Sequence, residues 1–312
     1  MRIALITPAP PGSRYGNRRT ALRWAALLRE LGHRVRVEST WDGGSADAMI
    51  ALHARKSHAA IAGFAATCPG CPLIVALTGT DLYRDIREDP LARQSLALAS
   101  RLVVLQPLGV KELAPALRRK THVVYQSTRP IRRGPPLKRS FEICVSGHLR
   151  EEKDPFRAAA ALALLPQHSR LRVTHIGGAM NAVMEREARD WMAREPRYHW
   201  LGEVPGWKAA RILGRSRAMV ISSRLEGGAN VVSEAINGGV PVIASRIPGN
   251  AGLLGSDYPG YYPVEDQKTL ARLIVLAETD GGFLARLEAA CIARRPLITR
   301  DAEKAALRRL FP

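Results

Sequence analysis

The 312-residue chain is short of aromatics, lysine and cysteine, and each shortage excludes something. Phe, Trp and Tyr make up 5% of it, which leaves few platforms for stacking nucleobases. Only eight of the 47 basic residues are lysine, no Lys/Arg run exceeds three residues, and no helix-turn-helix or zinc-finger spacing occurs. No nucleic-acid partner is therefore expected, and an Arg-rich nucleic-acid-binding protein is the alternative from another class. Four cysteines, Cys68, Cys71, Cys144 and Cys291, are too few for a disulfide scaffold. There is no Asp-x-Asp and no His/Cys cluster at ligand spacing, so no metal and no other cofactor is expected. No stretch approaches the roughly 18 apolar residues of a transmembrane helix. The N-terminal Met1–Pro8 meets proline too early for the apolar region of a signal peptide. The cytoplasm is the expected compartment.

The chain does have a 46% hydrophobic fraction, which suits a globular protein. Its length fits two domains of about 150 residues. The net charge is +19, and it is unevenly spread. Residues 1–140 carry 23 basic and 9 acidic side chains, a net of +14, while residues 141–312 carry 24 and 19, a net of +5. Such a balance suits an anionic partner. A general preference for arginine would give the same totals.

Apolar periodicity organises the chain into alternating strands and helices. Residues 2–6 read as a strand and Pro8–Gly16 as a loop. Ala21, Trp24, Ala25, Leu28 and Leu31 then recur at helical spacing, Gly32 stops the helix, and Val35 and Val37 open a second strand. Further strands are expected at Ala48–Leu52, Leu73–Leu77, Leu102–Leu105 and Val123–Tyr125, with a helix over 55–66. Residues 127–140, rich in proline and basic residues, read as a linker. The cycle then restarts with strands at Phe141–Ser146, Leu171–Ile176, Tyr198–Leu201, Met219–Ser222 and Val240–Ala244. Helices are expected over 155–165, 181–194 and 231–237. This alternation predicts α/β architecture with parallel sheets. The expected domains are 1–135 and 136–298, each Rossmann-like and facing the other across a central cleft. An amphipathic C-terminal segment, 299–312, is long enough to pack back on the first domain.

The most informative stretch is Ser222–Ala235. It follows an apolar strand, carries Gly227 and Gly228, and opens a helix whose first amides and positive dipole end suit a phosphate. Glu226 and Glu234 flank that turn, where carboxylates can accept hydrogen bonds from sugar hydroxyls. Two acids on a solvated helix start are the plainer reading of the pair.

From Glu226 onward the sequence resembles the retaining, GT-B-fold glycosyltransferases of family 4 type. Their motif E-G-x₆-E, followed by A-x₃-G-x-P-V-x-A-S, is matched by Glu226, Gly227, Glu234, Ala235, Gly239, Pro241, Val242, Ala244 and Ser245. Pro248-Gly249-Asn250 and Pro263–Asp266 continue the pattern. The resemblance implies that Glu226 contacts the donor sugar and Glu234 the nucleotide ribose. Gly227, Gly228, Asn230, Val231 and Val232 would line the diphosphate. A second match lies at Ser146–Pro155. The family's G-R-L-x₃-K-G becomes Gly147-His148-Leu149-Arg150-Glu151-Glu152-Lys153-Asp154. Lys153 matches, and His148 stands where arginine is usual. Either Arg150 supplies the missing charge or His148 donates a hydrogen bond. The implied catalytic set is Glu226, Lys153 and Arg150, with His148 and Gly12 at the donor.

The first domain matches the family more thinly. Its first loop keeps Gly12 and Gly16, but Arg18 and Arg19 stand where the family has an acid. Cations at a helix start oppose the dipole unless solvent or an anion faces them. Leu77-Thr78-Gly79-Thr80-Asp81 resembles the family's H-G-x-D segment, with Thr78 in place of histidine. His53 ends another strand, where open α/β sheets bind ligands. Together with the short length and the basic first domain, these segments resemble the selenosugar synthases of selenoneine biosynthesis. That resemblance implies transfer from a UDP-sugar, UDP-N-acetylglucosamine or UDP-glucose, to selenophosphate. The acceptor would be met by Arg14, Arg18, Arg19, Thr78, Gly79, Thr80 and His53. An O-glycosyltransferase of family 4 type acting on a lipid or saccharide is the alternative enzyme.

Overall fold

The computed structural model describes residues 1–13, 15–166 and 169–311. The chain forms two compact units. The first comprises Met1–Ser127, the short segment Glu226–Gly228 and the C-terminal stretch from Leu297. The second comprises Thr128–Leu225 and Ala229–Pro296.

The first unit is built on six parallel strands: β1 (Arg2–Ile6), β2 (Arg34–Glu38), β3 (Ala48–Leu52), β4 (Leu73–Leu77), β5 (Arg101–Val104) and β6 (Thr121–Val123). Their order is β2-β1-β3-β4-β5-β6. Helices cover both faces, so β3 (AMIAL) and β4 (LIVAL) are apolar and buried at every position. The edge strand β2 (RVRVE) alternates instead. One face packs on α1 (Gly16–Glu30) through Ala21, Trp24, Ala25 and Leu28. The other packs on α2 (His58–Thr67) and α3 (Pro90–Leu98) through Ile61, Phe64, Ala92 and Leu96. Gly32 adopts the left-handed conformation (φ 87°) that ends α1. The last strand sits two residues earlier than the apolar run at Val123–Tyr125 suggests, because Thr121 pairs with Leu102.

The second unit has β7 (Phe141–Ser146), β8 (Leu171–Ile176), β9 (Tyr198–Trp200), β10 (Ala218–Ile221), β11 (Val242–Ser245) and β12 (Tyr261–Tyr262). They form a parallel sheet of order β12-β11-β10-β7-β8-β9. Its helices are α4 (Arg157–Leu162), α5 (Ala182–Arg194), α6 (Gly206–Arg215), α7 (Asn230–Gly238), α8 (Pro248–Leu254), α9 (Gln267–Thr279) and α10 (Gly281–Ala293). The order is that of a dinucleotide-binding Rossmann sheet, and the two sheets with their helices make a GT-B fold.

The chain enters the second unit at Thr128, and the proline-rich stretch that follows is docked. Asn237 Nδ2 donates to Thr128 O at 2.9 Å, and Gly134 N donates to Gly214 O at 3.1 Å. The final helix, α11 (Arg300–Arg308), lies on α1 in the first unit. Its Glu303 is 1% exposed. The carboxylate accepts from Trp24 Nε1 at 2.7 Å, Arg23 Nε at 3.0 Å and Ser127 N at 2.9 Å.

Candidate functional site

Ligands of open α/β sheets sit beyond the carboxyl ends of the strands, where the strand order reverses. In the second unit that point lies between β7 and β10. The loop after β7 is Gly147–Asp154, and the loop after β10 begins at Ser222. Ser222 Oγ donates to Lys153 O at 3.1 Å and Asp154 O at 2.7 Å, and Arg224 N donates to Glu152 O at 2.8 Å. These bonds stitch the two loops together. Lys153 closes a single 3-10 turn, Glu151–Lys153, ended by Asp154 in the left-handed region (φ 44°). Asp154 holds Arg157 at 2.7 Å, so the arginine neutralises the acid beside Lys153.

His148 is half-buried and its Nδ1 accepts from Gly178 N at 3.2 Å. A neutral ring in that bond carries its proton on Nε2. Burial first, then the neighbouring Arg150, push its pKa below the ordinary 6.5. His148 is therefore a neutral hydrogen-bond donor near pH 7, and the positive charge of this loop comes from Arg150 and Lys153. Beneath it, fully buried His175 joins Tyr198 OH at 2.8 Å and Gly147 O at 3.2 Å. Gly177 (φ 144°) must be glycine, since a Cβ there would lie 2.0 Å from Gly147 O.

Asn230, Val231 and Val232 form the first turn of α7, and half-buried Glu234 follows on the same helix. The Val232 amide donates to Ala229 O at 3.0 Å, inside the first turn of the helix. The turn Glu226–Gly228 groups with the first unit. There the Glu226 side chain is buried, at 8% exposure. A Cβ on Gly227 would come 2.4 Å from Thr78 O, and one on Gly228 would come 2.6 Å from Leu105 Cβ. Packing against these neighbours is thus sufficient reason for both glycines.

In the first unit the order reverses between β1 and β3. The β1 loop turns at Gly12 (φ 79°), with Ser13 Oγ donating to Pro10 O at 2.8 Å. Arg14 lies outside the described residues. Arg18 and exposed Arg19 sit in the first turn of α1, which has no acid. Arg18 Nε is buried and has no hydrogen-bond partner among the described residues. Helix α1 begins at Gly16, with Tyr15 at its cap.

His53 ends β3 in a left-handed conformation (φ 75°) that costs a non-glycine residue about 1–2 kcal/mol. Its Nδ1 accepts from Lys56 N at 3.3 Å, and its Nε2 meets Thr80 Oγ1 at 3.1 Å. Burial lowers its pKa more than Asp81 raises it. The ring is therefore neutral, with its proton directed at Thr80. Asp81, fully buried, accepts from Thr78 N at 2.9 Å, Gly79 N at 2.8 Å and Ala54 N at 3.0 Å. It fixes the Thr78–Thr80 loop against His53. The structure thus brings His53 and Thr78–Thr80 together.

Among the supporting residues, His175 was not picked out from the sequence, and Asp81 and Ser222 were named there only as parts of their segments, without a role. A carboxylate two residues after glycine in Thr-Gly-Thr-Asp was the available signal for Asp81. Among the described residues no group of three or more His, Cys, Asp or Glu could hold a metal ion. No helix of the described residues is long and apolar enough to cross a membrane.

A family model described as glycosyl transferases group 1 matches residues 128–294, more than half of the chain. Among solved structures, the fold resembles Anabaena HepE in complex with UDP and glucose (TM-score 0.79, 16% identity, covering 99% of this chain and 98% of that one). It also resembles sucrose-phosphate synthase from Thermosynechococcus elongatus (TM-score 0.78, 15% identity, covering 99% and 98%). A trehalose-phosphate synthase (UDP-forming) from Burkholderia vietnamiensis is more distant (TM-score 0.67, 12% identity, covering 84% and 69%). No curated protein sequence matches.

Proposed function

The chain belongs to the glycosyl transferases group 1 family, and on that premise we propose that it moves a sugar from a UDP-sugar to selenophosphate. HepE has been solved with UDP-glucose, which supports a UDP-linked donor here. In this reading the second unit holds UDP. Glu234 meets the ribose, and the diphosphate lies at the N-terminus of α7 with Asn230 and Val231. Lys153, Arg150 and His148 Nε2–H face the leaving phosphate, and Glu226 supports the anomeric carbon. Selenium attacks that carbon, the C–Se bond forms as the C–O bond breaks, and UDP leaves with the electron pair. The charge that develops on the leaving oxygen is what the fixed donors stabilise. In this reading the cations of the β7 loop serve that task without a metal.

The acceptor assignment is carried by Arg18, whose Nε is buried without a hydrogen-bond partner among the described residues. With Arg19 and Arg14 in the same stretch, it suits a small multiply charged anion. Selenophosphate is already a charged nucleophile and needs no base. Transfer to a hydroxyl is the second reading, favoured by neutral His53 at the end of β3. The test incubates the protein with UDP-N-acetylglucosamine or UDP-glucose, with and without selenophosphate, and follows UDP release and selenium-bearing sugar by mass spectrometry. UDP release dependent on selenophosphate is expected. Release that needs a hydroxyl acceptor, with selenophosphate inert, overturns the first reading in favour of the second.

A further inference from the structure

Cys68-Pro69-Gly70-Cys71 lies at the amino end of β4, while the Thr78–Thr80 loop lies at its carboxyl end. Seven residues of extended chain separate the two ends by roughly 20 Å. Nothing in the transfer reaction uses these thiols, yet the chain presents them as a pair. Cys71 N donates to Cys68 O at 3.1 Å. Pro69 followed by Gly70 in the left-handed region (φ 83°) marks a type II turn. Such a turn holds its end Cα atoms within about 7 Å, and disulfides span Cα separations of about 4.4–6.8 Å.

Both residues are half-buried and pack against the core cluster that holds Ile61 and Phe64. A Cβ on Gly70 would meet nothing, so the outer side of the turn is open to solvent. The other two cysteines, Cys144 and Cys291, are fully buried in the second unit.

We infer that Cys68 and Cys71 form a dithiol site that exchanges with small disulfides and closes to an intramolecular disulfide. Cys68 thiolate attacks one sulfur of the incoming disulfide RSSR, giving a mixed disulfide and RS⁻. Cys71 then loses its proton to water and attacks Cys68 Sγ, expelling the second RS⁻. Overall, two thiols and RSSR become the Cys68–Cys71 disulfide and two RSH, a two-electron exchange. The turn geometry carries the pairing, and the order of attack takes its support from burial and the neighbouring Cys68 and Asp47, which raise the Cys71 pKa. That suits the resolving position better than the attacking one.

The sequence supplies its own assay. No lysine or arginine lies between Ser57 and Tyr83, so trypsin releases both cysteines in one peptide, Ser57–Arg84. The folded protein is incubated with oxidised glutathione, blocked with a maleimide, digested and weighed. The expected peptide has lost two hydrogens and takes no maleimide, and dithiothreitol restores both labels. Cys144 and Cys291 keep their thiols throughout. Cys71→Ser should trap one glutathione on Cys68, whereas Cys68→Ser should accumulate little adduct. Two maleimide labels or two glutathione adducts on the wild-type peptide would overturn the pairing. Equal trapping in both variants would overturn the order of attack.

Discussion

At the residue scale, Lys153 and Glu226 are distinguished by what holds them. Lys153 is fixed by its own backbone, whose carbonyl takes a hydrogen bond from Ser222 Oγ at 3.1 Å, a bond that does not depend on its side chain. Lys153→Ala should therefore leave the fold intact and lower turnover by about 10²–10³-fold, the usual loss for one fixed transition-state donor. UDP release and circular dichroism would check both halves, and near wild-type turnover would refute the phosphate role. Arg18→Ala should raise the acceptor KM by about 10- to 100-fold and leave the donor KM nearly unchanged, since one charged hydrogen bond is worth about 1.5–3 kcal/mol. A change confined to the donor would refute the acceptor role. Lys153 was legible because it sits in a spaced motif. The φ of 75° at His53 was not, because no sequence pattern marks a non-glycine residue in that conformation.

At the element scale, the ends of β7 and β8 are bound by a titratable group. Burial pushes the His175 pKa from 6.5 down to about 4. The folded state thus resists a proton that the unfolded chain accepts below pH 6.5. His175 contributes its full stability above that value, and the contribution falls as pH drops from 6.5 toward about 4. Thermal unfolding across that window should show a declining Tm, and His175→Gln should flatten the decline. An unchanged slope would remove His175 as its source. Gly177→Ala should be more damaging, since the new methyl meets a carbonyl 2.0 Å away in a backbone region closed to alanine. The strands themselves were readable, because central parallel strands such as LIVAL are unbroken apolar runs. β12 has two residues and no pattern to read, and α6 and α8, which follow proline or begin with it, are not among the helices expected from periodicity.

At the scale of the whole molecule, the decisive residue is an acid that reads from sequence as solvated surface. Glu303 is buried among Trp24, Arg23 and Ser127, three partners about 176 to 280 positions away along the chain. Its periodic neighbours Ala306 and Leu307 announced an amphipathic helix, but nothing local announced the burial of a carboxylate. Glu303→Ala strands the Trp24 and Ser127 donors and the Arg23 charge, and should cost about 3–5 kcal/mol of stability. Denaturant unfolding followed by circular dichroism would measure it, and a loss below about 1 kcal/mol would contradict a structural role. Because Glu303 follows the whole second unit along the chain, synthesis has a fixed order of completion. The second unit, apart from three residues, is one unbroken stretch and can finish folding while still near the ribosome. The strands of the first unit emerge earlier yet wait for α11, so a part of the chain made before the second unit matures after it.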